Sequence, residues 1–383
     1  MDEGLLNIIF DAHLRTLPDP WQTAKRILAR KNEFGITRLG SVTNLDWIGI
    51  PVVQVVRPQS LSVTVSQGKG MTFPLAAISA LMESLEGWAS ERIAPDSIFT
   101  APFRESKEQG LWSHLGVRDT AETLTWIDGV DLFSGLKTSV PLGLVDTAYT
   151  IPSPHPKWVP RDTSGLAASA SVQHAVLHAC FEILERQARC SALETPHFFD
   201  RFQINTQSVT AGLSGEIVIK VRAAGFGVGI WRIPTAHEFP VYWVHIMENG
   251  EQAPFAPLPA EGFGCAFTHD NALASALLEA CQSRLGVISA AREDVRTDLY
   301  SYPGASELAG WRAQLAKGER TYQTDVNNGP LEDPLRRILT ALQLAGAQAA
   351  ILVHLHSDER IPLHVAKVIA PPLETNPEFH LAW

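Results

Sequence analysis

Two segments, Ser79-Ala80-Leu81-Met82-Glu83-Ser84-Leu85-Glu86 and Phe181-Glu182-Ile183-Leu184-Glu185-Arg186, constrain this chain more than any others. Each sets two carboxylates three residues apart in an otherwise apolar run with helical spacing. Residues i and i+3 of an α-helix share a face, so both members of a pair point the same way. A helix that is apolar around most of its circumference is buried, and buried carboxylates are costly unless they are paired or hold a cation. An ordinary reading competes: solvated carboxylates on the polar faces of amphipathic helices. If the two helices face each other, four negative charges meet and a cation is expected among them. Oxygen-only ligands favour Mg2+ or Ca2+ over zinc or copper.

The surrounding pattern alternates strands with helices, which predicts an α/β or α+β architecture. A short basic helix is expected around Trp21 to Lys31, then strands over 50–56 and 61–65. Ser66-Gln67-Gly68-Lys69-Gly70 reads as a turn into a first long helix, with Thr72 as cap and Pro74 in the first turn. The stretch 95–160 is broken by proline and glycine and includes a strand at 123–127. A second long helix is expected over 166–194, and strands near 216–220, 227–233 and 241–246. A third helix opens after His269-Asp270-Asn271 and a fourth spans 331–345, with closing strands over 349–354 and 363–369. The first two long helices share a pattern of glycine-containing turn, apolar helix and Glu-x-x-Glu.

With 383 residues and a net charge of −10, the chain has a large core and a surface unsuited to nucleic acid or anionic membrane as its main partner. No apolar run reaches the roughly 20 residues of a membrane span. Met1-Asp2-Glu3-Gly4-Leu5 lacks the basic start of a secretory signal. Cys180, Cys190, Cys265 and Cys281 show no metal-binding spacing and read as buried free thiols. A cytoplasmic protein is expected.

Neither a P-loop nor a G-x-G-x-x-G fingerprint occurs. Lys69, between two glycines ahead of a helix, could contact phosphate, though three residues are a weak signal against a routine turn lysine. Arg186, Arg284 and Arg292 suit bidentate phosphate contact or carboxylate pairing. His174 and His178 are one turn apart, but the glutamate a zincin needs beside the first histidine is missing.

Taken in order, Arg38-Leu39-Gly40, Ile48-Gly49-Ile50-Pro51-Val52, Arg57-Pro58, Ser66-Gln67-Gly68-Lys69-Gly70 and the first acidic segment resemble the YcaO family. The likeness continues through Ser164-Gly165-Leu166-Ala167-Ala168, Glu182-Ile183-Leu184-Glu185-Arg186, Glu279-Ala280-Cys281-Gln282-Ser283-Arg284 and Ala291-Arg292-Glu293-Asp294. It divides the chain into a leading segment, 1–37, and a YcaO domain, 38–383. The Ser-Gln-Gly-Lys-Gly form looks most like the branch encoded beside TfuA proteins.

The resemblance implies a YcaO-type nucleotide-binding fold with mixed sheets and long buried helices, and an enzyme that uses ATP and Mg2+. By position it makes Glu83, Glu86, Glu182 and Glu185 the metal-linked carboxylates. Ser66, Lys69, Arg186, Glu279, Gln282 and Arg284 would contact the nucleotide, with Lys69 and Arg284 the catalytic cations. It implies O-phosphorylation of a peptide backbone amide in ribosomal-peptide (RiPP) or protein modification. A TfuA-like partner would favour a thioamide product; a neighbouring side chain as nucleophile would give an azoline, a cyclodehydratase reaction, and amidine formation is a further variant. The tail Pro371-Pro372-Leu373-Glu374 to Trp383 lacks the alternating prolines of azoline-forming members and leans toward the thioamide. Ala170 and His174 stand where members often carry Asn and Glu, which keeps a non-catalytic peptide-binding scaffold as an alternative. A homodimer is expected from the general frequency of such assemblies.

Overall fold

The computed structural model describes residues 3–117, 121–250, 254–295, 297–325, 333–358 and 360–376. Two short helices, α1 (Glu3–Ile9) and α2 (Pro20–Ala29), precede β1 (Arg38–Ser41), β2 (Val52–Val56), β3 (Val65–Lys69) and the long helix α3 (Phe73–Ser90). Next come β4 (Ile98–Pro102), α4 (Gln109–Trp112), β5 (Thr123–Asp131), β6 (Lys137–Pro141) and β7 (Leu166–Ser169). The second long helix α5 (Val172–Glu194) leads to α6 (Phe198–Arg201), β8 (Gln203–Ile204), α7 (Gly212–Ala223), β9 (Phe226–Ile233), β10 (Val241–Glu248) and β11 (Ala260–Cys265). The third long helix α8 (His269–Ser289) is followed by α9 (Ala305–Leu315), α10 (Pro334–Leu344), β12 (Ile351–Asp358) and β13 (Leu363–Ile369).

The strands form three sheets, ordered β1-β2-β3, β11-β10-β9-β8 and β4-β5-β12-β13-β7, with β6 paired to β5. Mixed sheets are expected from the resemblance, yet every pairing between these strands is antiparallel. The long helices pack on sheet faces instead of bridging parallel neighbours.

Each long helix has a polar cap and a small-residue face. Thr72 accepts from the Leu75 N–H at the start of α3, and Ala76, Ala80, Leu81 and Leu85 are fully buried. Burying each leucine is worth about 1.5–3 kcal/mol. α2 joins the same core, with Ile27 and Phe34 buried against Leu81 and Leu85, so part of the leading segment packs into the body.

Four local expectations fail because tertiary packing overrides local pattern: the strand expected over 61–65 begins only at Val65, and three more follow. Ser66 to Lys69 is not a turn but most of β3, paired with β2. A Cβ on Gly68 would sit 2.0 Å from the Ala80 nitrogen and 2.4 Å from the Ala76 oxygen, so glycine here permits α3 to lie on the strand. Leu166 to Ser169 is strand β7, paired with β13, and the helix starts only at Val172. The 216–220 run is helical, because Ser214, Ile217, Val218 and Val221 bury one face of α7 despite the β-branching of the last three. Gly68→Ala should therefore destabilise the fold by about 3 kcal/mol or more, since the obstacle is backbone and cannot rotate away. Urea denaturation checks this.

Candidate active site

The strands β3, β7 and β11 each lie at the edge of a different sheet, and each feeds one of the long helices α3, α5 and α8. The three units repeat one plan. Thr72, Ser171 and Thr268 are the N-caps. Three helical turns on stand Glu83, Glu182 and Glu279; one turn further stand Glu86, Glu185 and Gln282. Gly264 matches Gly68, since its Cβ would meet the Ala272 oxygen at 2.1 Å and the Ala276 nitrogen at 2.7 Å. The pattern shared by the first two helices thus extends to a third, and all three helices send carboxylates to one cleft.

Hydrogen bonds tie the units together there. Lys69 of β3 donates to Glu279 of α8 at 2.7 Å, and the Phe263 N–H donates to the same carboxylate at 3.4 Å. Glu83 accepts from the Gln67 N–H at 3.3 Å and from Arg292 at 3.4 Å. Glu86 of α3 accepts from the Ala168 N–H of β7 at 2.8 Å, and Glu182 of α5 from the Gly165 N–H at 3.0 Å. Arg186 pairs with Glu182 at 2.7 Å and donates to Ser164 at 2.8 Å. These side chains are recessed but open to water, from 21% exposed at Glu182 to 36% at Glu83.

Crowding acid beside acid changes its protonation. Burial, then the neighbouring Glu279 and Glu182, push Glu185 up to about 8, and no hydrogen bond or ion pair reaches its carboxylate from the described residues. Burial, with Glu83 and Glu182 nearby, raises Glu86 well above the usual range. Glu83 is raised by burial too, against the pull of Arg292. Burial alone would lower Lys69, but Glu279, Glu185 and Glu83 hold it above its ordinary value. The apo cleft therefore keeps protons that a cation would displace.

Arg284 is not brought to these acids. Its Nε donates to Asp46 at 3.1 Å and its Nη2 to Glu248 at 2.6 Å, with the guanidinium 4.7 Å from the Phe226 ring centre. It is 2% exposed. Removing one partner from a buried pair strands the others, so Arg284→Met should cost about 3–5 kcal/mol in a denaturation experiment, with Asp46→Asn partly restoring it. Ser66 is buried within β3, and Gln282 is half-buried one turn past Glu279.

The sequence offers no functional role for Lys367, and sets His178 aside only as a zinc ligand, yet both stand at the cleft. Lys367 is 1% exposed and donates to the Asp162 carbonyl at 2.9 Å. Burial lowers it, while Asp162, Glu182 and Glu86 pull the other way. Its signal was a single charge inside an otherwise apolar closing strand. His178 lies one turn before Glu182 on the same face of α5 and is exposed there. The four cysteines are buried and free, with Cys180 and Cys281 pushed by burial up to about 12, which disfavours thiolate chemistry.

A family model described as "YcaO cyclodehydratase, ATP-ad Mg2+-binding" matches residues 67–374. The chain belongs to the YcaO family. A Mycobacterium tuberculosis relative is 34% identical over 302 residues, covering 75% of this chain and 65% of its own length. A Rhizobium leguminosarum bv. trifolii protein encoded in the tfuA 3' region is 27% identical over 386 residues, covering 96% of this chain and 90% of its own. Among solved structures, YcaO from Methanopyrus kandleri bound with AMPPCP and Mg2+ superposes with a TM-score of 0.72 at 22% identity, over 96% of this chain and 94% of that one. A heterocyclase in complex with substrate and cofactor gives 0.67 at 16% identity, over 97% of this chain and 55% of that one. The YcaO fold is therefore the fold of this chain.

The cleft's donors fit the family's Mg2+ and ATP: every candidate ligand is a carboxylate oxygen, and Lys69 and Arg186 stand beside them as cations. Among the described residues no three acid, histidine or cysteine side chains already converge as an ion cage. Instead Glu83, Glu86, Glu182 and Glu279 are turned onto Lys69, Arg186, Arg292 and backbone N–H groups. No helix among the described residues is long and apolar enough to cross a membrane.

Proposed function

We propose that this chain uses Mg2+ and ATP to activate a peptide backbone amide by O-phosphorylation, and that the product is a thioamide formed with a TfuA-like partner. The observation that carries the amide-activating reading is the single acidic cleft fed by three helices, on a chain of the YcaO family. The relative encoded beside tfuA, alike over 96% of this chain, supports the thioamide branch.

An amide oxygen leaves poorly; when bound, Mg2+–ATP supplies the phosphoryl group that turns it into a phosphate leaving group. Glu83, Glu86, Glu182 and Glu185 would hold the cation. Lys69 and Arg186 are placed to neutralise charge building on phosphate oxygens, and being paired with Glu279 and Glu182 they need no solvent rearrangement to stay charged. Glu279 anchors Lys69 within the cleft. His178, exposed at the cleft wall one turn before Glu182, is placed to accept a proton there.

The family's description as cyclodehydratase favours a second reading, an azoline on the same scaffold. Mass spectrometry of a co-expressed precursor peptide separates the two: exchange of oxygen for sulfur supports the thioamide, and loss of water supports the azoline. Absence of Mg2+-dependent phosphate release with any peptide from the gene neighbourhood would leave the scaffold reading in possession.

A further inference from the structure

A cavity of about 640 Å3 lies beside the acidic cleft, within the range of sites that take a small ligand or a few side chains. Its walls are Phe199, Trp231, Trp311, Leu315, Val287 and Leu299, drawn from α6, β9, α9, α8 and the chain between α8 and α9. Close-packed interiors do not leave such a space empty by default, and here the walls are mostly apolar. At 60% and 59% exposed, Phe255 and Tyr302 flank the same loops, with the Tyr302 hydroxyl donating to the Phe255 carbonyl at 3.4 Å.

The cavity and the cleft share two elements. Ser283, in the cavity wall, follows Glu279 by one turn on the same face of α8, about 6 Å along the axis. Glu261, also in the wall, stands two residues before Phe263 on β11, the strand whose Phe263 N–H donates to Glu279. An extended peptide advances about 3.3 Å per residue, so a chain with one amide at the glutamates reaches the cavity about two residues away.

The polar groups around the cavity select against acids. Arg284 is already held by Asp46 and Glu248, so it offers no free positive charge to an incoming carboxylate. Glu261 adds a negative one, with His245 Nε2 3.2 Å away. We propose that this cavity receives a bulky apolar side chain of the peptide substrate, aromatic by preference, about two residues from the amide that is activated. The proposal rests on the peptide-activating reading above and adds a side-chain preference to it.

The test uses the full chain without nucleotide and three capped dipeptides: acetyl-Phe-Gly-amide, acetyl-Ala-Gly-amide and acetyl-Asp-Gly-amide. Ligand-detected NMR should show the phenylalanine peptide binding about tenfold or more tighter than either other, as burial of the ring predicts. Val287→Phe, which fills the cavity from α8, and Trp311→Ala, which removes a wall, should each erase that preference. Thermal denaturation verifies that each variant is folded, and either one suffices if the other is not. Equal binding of the three peptides, or a phenylalanine preference that survives in a folded variant, overturns the proposal. Mg2+–ATP binding to the unmodified protein is measured separately, so its failure would sink the nucleotide reading without being mistaken for failure of the cavity.

Discussion

Glutamine in place of Glu185 should leave the protein as stable as before, or more so, and remove most of its affinity for Mg2+–ATP. The Glu185 carboxylate meets no hydrogen bond or ion pair from the described residues, and burial beside Glu279 and Glu182 pushes it up to about 8. A neutral amide of the same shape loses no contact and replaces an acid that the apo fold already keeps protonated below about 8, so melting without ligand should hold at neutral pH and rise by about 2 °C only above pH 8. Binding should fall about 100-fold or more, because an amide brings no charge to a divalent ion. Glu182→Ala should lose binding equally but for a structural price as well: it strands the Gly165 N–H and unpairs Arg186, costing about 1–3 kcal/mol. Scanning fluorimetry with and without Mg2+–ATP, followed by calorimetric titration, reads both effects. If Glu185→Gln and Glu182→Ala both bind Mg2+–ATP normally, the nucleotide lies elsewhere.

That contrast reflects how the site is written in the sequence. The Glu-x-x-Glu pairs of α3 and α5 are legible because helical spacing alone puts their members on one face, and the Thr72 cap with Pro74 in the first turn marks the start of α3. The third unit was hidden. Its second acid is Gln282, and its leading strand carries Gly262 and Gly264, which look like strand breakers until α8 is seen lying on them. The same blindness turned Ser66 to Lys69 into a turn, since nothing local reveals that Ala76 and Ala80 will pack against Gly68. Arg284 shows the opposite limit. Its partners Asp46 and Glu248 are remote in the chain, so a guanidinium suited to phosphate could not be told from one that holds a core together. Composition of a side chain announces what it can bind, and only the fold decides what it meets.

Affinity for Mg2+ with nucleotide should climb steeply as pH rises toward 8 and level off above it. Glu185 is protonated in the apo fold below about 8, against an ordinary value of 4.5, and Glu86 is displaced in the same direction. A raised carboxylate stabilises the fold through its bound proton. That contribution is complete below pH 4.5 and is lost as pH climbs through about 8, so this pair makes the apo protein less stable across that window. A divalent ion reverses the trend, since it takes the deprotonated form and must expel the proton first. Each expelled proton steepens the affinity by up to about tenfold per pH unit below the titration. The groups facing Glu185 are Glu279 and Glu182, which raise it, and Lys69 and Arg186, which oppose them; neither cation titrates in this range, because both are held above their ordinary values. Calorimetry in two buffers of different ionisation enthalpy should therefore show proton release near pH 7 and little at pH 9. Glu185→Gln supplies the control for protons carried by the nucleotide itself, and its profile should be flatter by about one proton. An unmodified protein whose affinity stays level from pH 6 to 8, or whose profile matches that of the glutamine variant, would mean that the raised carboxylate is not where the cation binds.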